Sequence, residues 1–487
     1  MSLGDRLGLA GLVVALLGIG LPYVFPDRKG IGWTCFGLAG ALLLAWGWVE
    51  FGTRIGQVYA ARSTWSTVVI FFLGGIVSAV AWLVLPRPDS VAPKLAVPVV
   101  MSPSQEIVTK APTSVSASPI EGLSALGWVV KPAKEYIEFE VANRPLPPTR
   151  ASAQFFRELR KPFHLSFQGI QSLAGLHELS DIAECTGIQI SAAELTDLSE
   201  LRGFVHLKSL GISQTPLSGL RTVDISPLTN LKNLTMLNLY STKTTSIEPI
   251  RSLQHLEVLN LKETLVRDAS PIEALISLRS LDLTGTPIVD LTPLSKLESL
   301  AELNVGGKQM PGLVALAGLR NLKRLRVIEQ LPIDLGPVAS LVALEYVWIW
   351  GPAQMDVASI ARLPRLRELS ISGLGYGPPA NVINLGALGS LANLTSLTIG
   401  YITVEDLRFI TSLSKLEELN LNSCPVNSIE PLRRLANLKK VALNVVPVSD
   451  ISPLLDLPRL TTLSVVRTPA RSDVLTELER RGVSVQR

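Results

Sequence analysis

Chemically reactive side chains are scarce in this sequence of 487 residues, which holds three cysteines and four histidines. Cys35, Cys185 and Cys424 lie far apart and form no Cys-x-x-Cys spacing, so neither a structural zinc site nor a disulfide framework is expected. We interpret them as small apolar side chains. No histidine has a cysteine or carboxylate at the spacing of metal ligands. The histidines are His164, His177, His206 and His255.

Catalytic sequence motifs are also missing. There is no Gly-x-Ser-x-Gly, no phosphate-binding loop, no His-Glu-x-x-His and no dinucleotide fingerprint. Charge is low as well: 18% of residues are charged, the net charge is +4, and basic pairs such as Arg433 and Arg434 are isolated. Such a distribution does not favour nucleic acid. We therefore expect a protein that is not an enzyme, with no cofactor, no metal and no evident small-molecule substrate.

Charge is entirely absent from three stretches near the start of the chain, residues 7–25, 31–49 and 65–85. Each is long enough to cross a bilayer as a helix, and five of the eight tryptophans lie within or at the ends of these stretches. A cleaved signal peptide is the alternative for the first stretch, but a second apolar run follows it directly. Without an ionisable group inside, the stretches predict an anchor rather than a transport path. Residues 1–85 are thus predicted to form a membrane anchor of three transmembrane helices.

The distribution of basic residues does not decide on which side of the membrane the rest of the chain lies. Either orientation puts four positive charges on the cytoplasmic side, so the positive-inside rule does not decide. Residues 86–120 are rich in Pro, Ser, Val and Thr, which predicts an extended linker. A linker of this kind favours the extracytoplasmic side. We expect a multi-pass protein of the inner (plasma) membrane.

After the linker, one spacing of apolar residues recurs: an apolar residue, two variable ones, an apolar residue, one variable and a third apolar, as in Leu278, Leu281 and Leu283. Thirteen copies start at residues 185, 207, 234, 256, 278, 300, 322, 344, 366, 394, 416, 438 and 460. Ten of the twelve spacings are 22 residues, and the others are 27 and 28. A period held for so long means that each unit stacks on the previous one. The alternation predicts a short strand in each unit, followed by a return of the chain.

Further sequence patterns predict the structure of the returns and of both ends of the array. In four units a Ser or Thr precedes a proline, and we predict that this hydroxyl caps a single helical or 3₁₀ turn. Residues 121–167 break the period and are predicted to form an N-terminal cap, with strands in "WVV" and "YIEFEV" and a helix at 151–160. Repeats are expected over 168–471, and an amphipathic helix with a last strand over 472–487. The Ser/Thr-Pro pairs are Ser226-Pro227, Ser270-Pro271, Thr292-Pro293 and Ser452-Pro453.

The run "LRSLDLTGTPIVDLTPLSKLESL" resembles the short, internalin-type leucine-rich repeats of bacterial proteins, and the resemblance extends over roughly residues 163–487. It implies an α/β solenoid, a leucine-rich-repeat horseshoe with a parallel sheet on its concave face, here preceded by three transmembrane α-helices. At the ninth position, where that family usually has Asn, this sequence has Thr or Cys. A continuous asparagine ladder is therefore not expected, and the threonine hydroxyls are predicted to bond neighbouring backbone. These residues are Thr215, Thr242, Thr264, Thr286, Cys424 and Thr468.

Most exposed strand positions in this reading are small or polar, but two adjacent units differ. They carry Arg324 and Arg326, then Tyr346, Trp348 and Trp350, which we name the aromatic patch. Stacking would place the two strands about 5 Å apart, and Trp, Tyr and Arg dominate binding hot spots. The patch is predicted to bind a partner; the alternative is that the arginines stack on the rings and satisfy them internally. Three further candidate residues accompany it: Glu302, Glu368 and, in an inserted Gly/Pro loop, Tyr376.

The sequence therefore predicts a membrane-anchored leucine-rich-repeat scaffold that binds a protein partner through its concave face. The alternative is a structural protein of the cell envelope that contacts cell-wall polymer or another cell, with the aromatic patch stacked on sugar rings. Neither reading names the partner.

Overall fold

The computed structural model describes residues 118–133, 135–142, 145–192, 195–213, 222–307, 312–375, 377–404 and 406–487. The predicted membrane anchor at 1–85 and all but the end of the predicted linker at 86–120 lie outside these residues. In the part of the chain that the structure describes, no helix is both long and apolar enough to cross a membrane. Everything described below belongs to one compact unit, which lies within residues 111–487.

The repeats place their strands side by side in one sheet. Because most units have the same length, equivalent residues meet across neighbouring strands, so Leu281 is in register with Leu259 and with Leu303. Neighbouring strands of this sheet run parallel except for the first pair, which is antiparallel. The sheet is formed by β1 (Val129–Pro132), β2 (Ile137–Ala142), β3 (Phe163–Gln168), β4 (Cys185–Ser191), β5 (Ser209–Ser213), β6 (Met236–Asn238), β7 (Val258–Asn260), β8 (Ser280–Asp282), β9 (Glu302–Gly306), β10 (Arg324–Ile328), β11 (Tyr346–Trp350), β13 (Glu368–Ser372), β15 (Ser396–Gly400), β16 (Glu418–Asn422), β17 (Lys440–Asn444), β18 (Thr462–Ser464) and β19 (Ser484–Gln486).

Two short strands lie outside this sheet and pair in parallel with each other, β12 (Gln354–Asp356) and β14 (Asn381–Ile383). They follow β11 and β13 in the chain. The extra residues of the unit that starts at Leu366 supply β14, so the insertion leaves the register of the main sheet unchanged. The predicted Gly/Pro loop is part of this insertion, but Tyr376 itself lies outside the described residues.

Short 3₁₀ helices form the returns between strands, but their caps differ from the prediction. The N–H of Ser226 bonds to Oδ1 of Asp224 at 2.8 Å, and the same contact joins Ser270 to Asp268 at 2.8 Å. The hydroxyl residue is the first residue of the helix and not its cap, so the predicted hydroxyl cap is wrong. Instead, the side chain of an aspartate two residues upstream accepts the backbone N–H of the hydroxyl residue. The 3₁₀ helices are Leu176–Leu179, Ser199–Leu201, Ser226–Asn230, Glu248–Ser252, Ser270–Ala274, Thr292–Lys296, Leu313–Gly318, Gly336–Ser340, Ile360–Arg362, Leu385–Ser390, Arg408–Ser412, Glu430–Arg434 and Ser452–Asp456.

The core is a continuous column of leucines between the sheet and the returns. In the unit from Leu278 to Leu297 every apolar position of the repeat is buried, and Thr286 is only 8% exposed. Burying a leucine side chain contributes roughly 1.5–3 kcal/mol, so each unit gains most of its stability from contact with its neighbours. The predicted leucine spine is confirmed.

In three units the ninth position of the repeat is a buried threonine that bonds the backbone of its own unit. Thr468 is half-buried and donates instead to the carbonyl of Leu443 in the preceding unit, and Thr215 lies outside the described residues. Thr242, Thr264 and Thr286 donate their hydroxyls to the carbonyl three residues upstream, at 2.8, 2.7 and 2.7 Å. The expected contact of threonine with nearby backbone is therefore confirmed for these units. An asparagine does join successive units, but one residue before the first leucine: Asn233 and Asn437 each donate Nδ2 to a carbonyl of the preceding unit.

Both ends of the array are closed by helices. At the start, α1 (Pro119–Ala125) and α2 (Thr149–Glu158) pack beside β1 and β2, and at the other end α3 (Ser472–Arg480) leads into β19. α1 was not anticipated, because the Pro- and Ser-rich composition continues up to it. Ser118 and Glu121 form a capping box at its first turn. The indole of Trp128 is buried between these elements and donates to the hydroxyl of Ser152 at 2.9 Å.

Candidate functional site

The aromatic patch lies on two adjacent strands, β10 and β11. In their register Arg324 is opposite Tyr346, Arg326 is opposite Trp348, and Ile328 is opposite Trp350. The residues between them are buried in the spine, as Leu325 is at 0% exposure. Since side chains alternate along a strand, the patch residues lie on the opposite face of the sheet. The structure thus brings the five predicted residues together.

Arginine and ring contacts hold the patch in order. The Cζ atom of Arg324 lies 4.3 Å from the ring centre of Tyr346. That of Arg326 lies 5.5 Å from the same ring and 5.9 Å from the ring of Trp348. Both arginines are exposed, whereas the three aromatic side chains are half-buried. The rings are therefore partly covered by cations, but the guanidinium N–H groups still face solvent.

Trp350 differs from the other two rings. Within the described residues no cation and no other ring lies against it. Its neighbours in register are Ile328 on one side and Ser372 on the other. Its half-exposed indole therefore has open apolar surface on the edge of the patch.

Carboxylates flank the patch unequally. Glu302 lies next to Arg324 in register, with 3.7 Å between Oε1 and Nε, and both side chains are about half exposed. A pair this exposed contributes between about 0 and 1 kcal/mol. Glu368 lies next to Tyr346 on the other side and is exposed. Arg326 has no carboxylate within ion-pair distance in the part of the chain that is described, so its charge is unpaired.

The two strands before β10 offer Arg326 no free carboxylate, since Glu302 on β9 pairs with Arg324 and Asp282 on β8 is engaged elsewhere. Asn304, its neighbour in register, donates Nδ2 to Oδ2 of Asp282 at 2.9 Å. The other oxygen of Asp282 accepts the N–H of Thr284 at 2.9 Å. This carboxylate is engaged at both oxygens, which leaves the guanidinium of Arg326 available to a ligand.

One charged pair was missed at the level of sequence. His177 Nδ1 lies 2.6 Å from Oε2 of Glu200, which also accepts the backbone N–H of His177 at 3.0 Å. This hydrogen bond to a carboxylate raises the pKa of His177. The partners are 23 residues apart, and only the stacking of two units joins them. No local spacing motif could have indicated the contact.

His164, Cys185 and Cys424 are stacked or buried and do not form a reactive site. The ring of His164 stacks on Tyr136 with centres 3.7 Å apart, and burial lowers its pKa. Cys185 and Cys424 are buried, which raises the pKa of both thiols. Among the described residues no three His, Cys, Asp or Glu side chains form a group that could hold a metal ion.

Comparison with known proteins identifies the family of the repeats. The family model described as a leucine-rich repeat region matches residues 236–480. No curated protein sequence matches the chain. An internalin (inlF) from Listeria monocytogenes is 27% identical with a TM-score of 0.52, over 61% of this chain and 85% of that one.

Two further solved structures are similar at lower identity. A leucine-rich repeat protein of Leptospira interrogans is 17% identical with a TM-score of 0.47, over 71% of this chain and 100% of that one. A chain of the Toll–Spatzle complex of Drosophila is 15% identical with a TM-score of 0.50, over 70% of this chain and 52% of that one. At such identity the last likeness shows the fold alone.

The repeat fold is typical of scaffolds for protein–protein interaction, and nothing in the described residues indicates catalysis. The family model spans half of the sequence, and every unit within it has the buried leucine column seen throughout. This chain belongs to the leucine-rich repeat family, and its structural neighbours include an internalin.

Proposed function

We propose that this chain is a membrane-anchored scaffold of a bacterial cell that binds a protein partner at the aromatic patch, on the concave face of its repeat sheet. The observation that carries the proposal is the guanidinium of Arg326, which has no ion pair within the described residues and lies beside the half-buried rings of Tyr346 and Trp348. Aromatic side chains supply large contact areas at low cost in entropy, and arginine adds charged hydrogen bonds.

The cation–π contacts within the patch are compatible with binding of a partner. A guanidinium held over a ring keeps its N–H groups at the edge of that plane, where a carboxylate can accept two of them. Because Arg324 and Arg326 are already ordered by Tyr346, these two side chains lose less conformational entropy when a partner binds them. Self-packing and recognition are thus compatible in this patch.

Capture of partners by the full chain tests the proposal. The variant Trp348→Ala/Trp350→Ala removes two rings without touching the spine, and we expect its thermal midpoint to stay close to that of the parent while partner capture is lost. A matched control, Met236→Ala/Val258→Ala, shortens two solvent-accessible side chains on β6 and β7 of the same face. If the tryptophan variant recovers the same proteins in the same amounts as the control, the patch is not the binding site.

The exposure of Trp350 favours a second candidate function, that of a structural protein of the cell envelope. Among the described residues no cation lies against the half-exposed indole of Trp350, and such a ring can stack on a sugar. Purified full chain would then be retained on isolated, protein-free cell-wall polymer, and the tryptophan variant would not. Retention of both proteins to the same extent would speak against this function.

The membrane anchor is proposed from the sequence of residues 1–85. Three uncharged stretches of bilayer length support a multi-pass protein of the inner membrane, and the linker composition favours an extracytoplasmic repeat domain. A reporter active on only one side of the membrane, fused to the C-terminus, gives the side. Release of the chain from membranes by alkaline carbonate would contradict an integral anchor.

A further inference from the structure

A second surface lies on the edge of the sheet where the strands begin. A groove of about 510 Å³ opens there across successive units, and we name it the basic groove. It is separate from the aromatic patch, whose residues lie within the strands. The residues that line it are Glu345, Arg365, Arg367, Asn393, Thr395 and Lys415.

Two cations on this edge are paired along a column formed by the residue before each strand. In that column Arg279 lies 3.8 Å from Glu257, and Lys439 lies 2.8 Å from Glu417. Each pair joins two neighbouring units. Within the described residues the other three cations of the column, Lys208, Lys323 and Arg367, form no ion pair.

Arg367 differs from the other two in having a groove beside it. Its neighbour in the column is Glu345, because β11 and β13 pair in register. Yet neither side chain forms an ion pair within the described residues, and both line the groove instead. Arg365, two residues upstream of Arg367, is exposed and equally without a carboxylate partner in that part of the chain. The groove lies where the ion pair would otherwise form.

The far wall of the groove is fixed by hydrogen bonds. Asn393 donates Nδ2 to the carbonyl of Pro364 at 2.9 Å, and its Oδ1 accepts from the ammonium of Lys415 at 2.7 Å. Thr395 donates its hydroxyl to the carbonyl of Arg367 at 3.0 Å. The amide of Asn393 therefore holds Lys415 in the groove, and two N–H groups of that ammonium are left for a ligand.

Lys415 and Arg365 occupy equivalent positions two units apart, which corresponds to about 10 Å along the sheet. Three cationic side chains thus surround a groove that contains one carboxylate, Glu345. We infer that the basic groove binds a small molecule carrying an oxyanion, either a phosphate or a carboxylate, together with a hydrogen-bond donor for Glu345. The volume is within the range of small-molecule sites, and guanidinium groups bind both oxyanions through paired N–H groups.

Calorimetric titration of the full chain tests this inference, with inorganic phosphate in one series and succinate in another at constant ionic strength in chloride. We expect saturable binding of at least one probe, and the probe that binds identifies the oxyanion. Arg365→Gln/Arg367→Gln should raise its Kd by about ten-fold or more, since two charged hydrogen-bonding groups are lost. Arg279→Gln/Lys439→Gln, the matched control on the same edge, should leave the Kd unchanged.

The variant Glu345→Gln distinguishes direct binding of the anion by Arg365 and Arg367 from a role of these arginines in the fold. Removal of the one carboxylate in the groove should lower the Kd for an anion, a gain that damage to the fold would not produce. The inference is overturned if neither probe binds, if the control pair weakens binding as much as the Arg365/Arg367 pair, or if Glu345→Gln weakens binding.

Discussion

Arg324 lies with its guanidinium carbon 4.3 Å from the ring centre of Tyr346, although the two residues are 22 positions apart in the sequence. The contact exists because one repeat length returns the chain to the same place on the next strand, and parallel register then puts equivalent residues side by side. The aromatic patch is a consequence of this register.

The stacking of Arg324 on Tyr346 should be measurable as a coupling energy. In a double-mutant cycle with Arg324→Ala and Tyr346→Ala, we expect a coupling of about 0.5–1 kcal/mol in the free energy of unfolding, the usual size for an exposed cation–π contact. Urea unfolding measures it. The cycle of Arg324→Ala with Ser396→Ala, on β15, is the control and should show none. Equal couplings in both cycles would mean that the ring contact does not exist in solution.

Gly351 should not tolerate a side chain. Its φ is +109°, and a Cβ added there would lie 2.2 Å from the carbonyl oxygen of Glu329. We expect Gly351→Ala to lower the free energy of unfolding by on the order of 3 kcal/mol through backbone strain and displaced contacts. Gly386→Ala is the matched control: a Cβ at Gly386 has nothing within 4 Å. Loss of stability of similar size in both variants would contradict this reading of the backbone.

The buried hydroxyl of Thr264 should contribute through its bond to the carbonyl of Leu261, at 2.7 Å. Thr264→Val keeps the shape but removes this hydrogen bond, while the carbonyl of Leu261 still accepts the backbone N–H of residue 264 at 3.1 Å. We therefore expect it to lower the free energy of unfolding by about 0.5–1.5 kcal/mol, the net value of one hydrogen bond. Thr264→Ser retains the hydroxyl and should lose less, mainly the packing of one methyl group. Chemical unfolding of the three proteins measures the order. A serine variant less stable than the valine variant would show that packing, and not the hydrogen bond, selects threonine at this position.

The pair of His177 and Glu200 should make stability depend on pH. The folded-state pKa of His177 is raised by the hydrogen bond to Glu200, above the unfolded value of about 6.5. Its contribution is therefore fully present below that unfolded value and is lost as the pH rises through the folded pKa. Thermal midpoints of the parent and of His177→Gln should differ at pH 5.5 to 6 (about half a unit or more below the unfolded value) and converge at alkaline pH. A constant difference across the range would exclude titration of His177 as the cause.

Much of the site could be predicted because it depends only on register. The positions of Arg326 and Trp348 in the repeat are equivalent, so their neighbourhood follows from counting residues. What counting could not give is the state of each charge. Asn304, for example, donates to Asp282 on the preceding strand, and the guanidinium of Arg326 lies as near to the ring of Tyr346 as to that of Trp348, its neighbour in register. That depends on rotamers and competing donors, which the sequence pattern does not contain.

The leucine period is sufficient to predict the solenoid, because a constant period of leucines can be buried only if the units stack. Stacking then sets the strands, the spine and the exposed columns. Tertiary structure alone decided which members of a column meet. Lys439 and Glu417 form an ion pair, whereas Arg367 and Glu345, at the same spacing, line a groove. The reason is energetic, since exposed charge pairs differ by less than about 1 kcal/mol between alternatives, so the shape of the local surface decides between them.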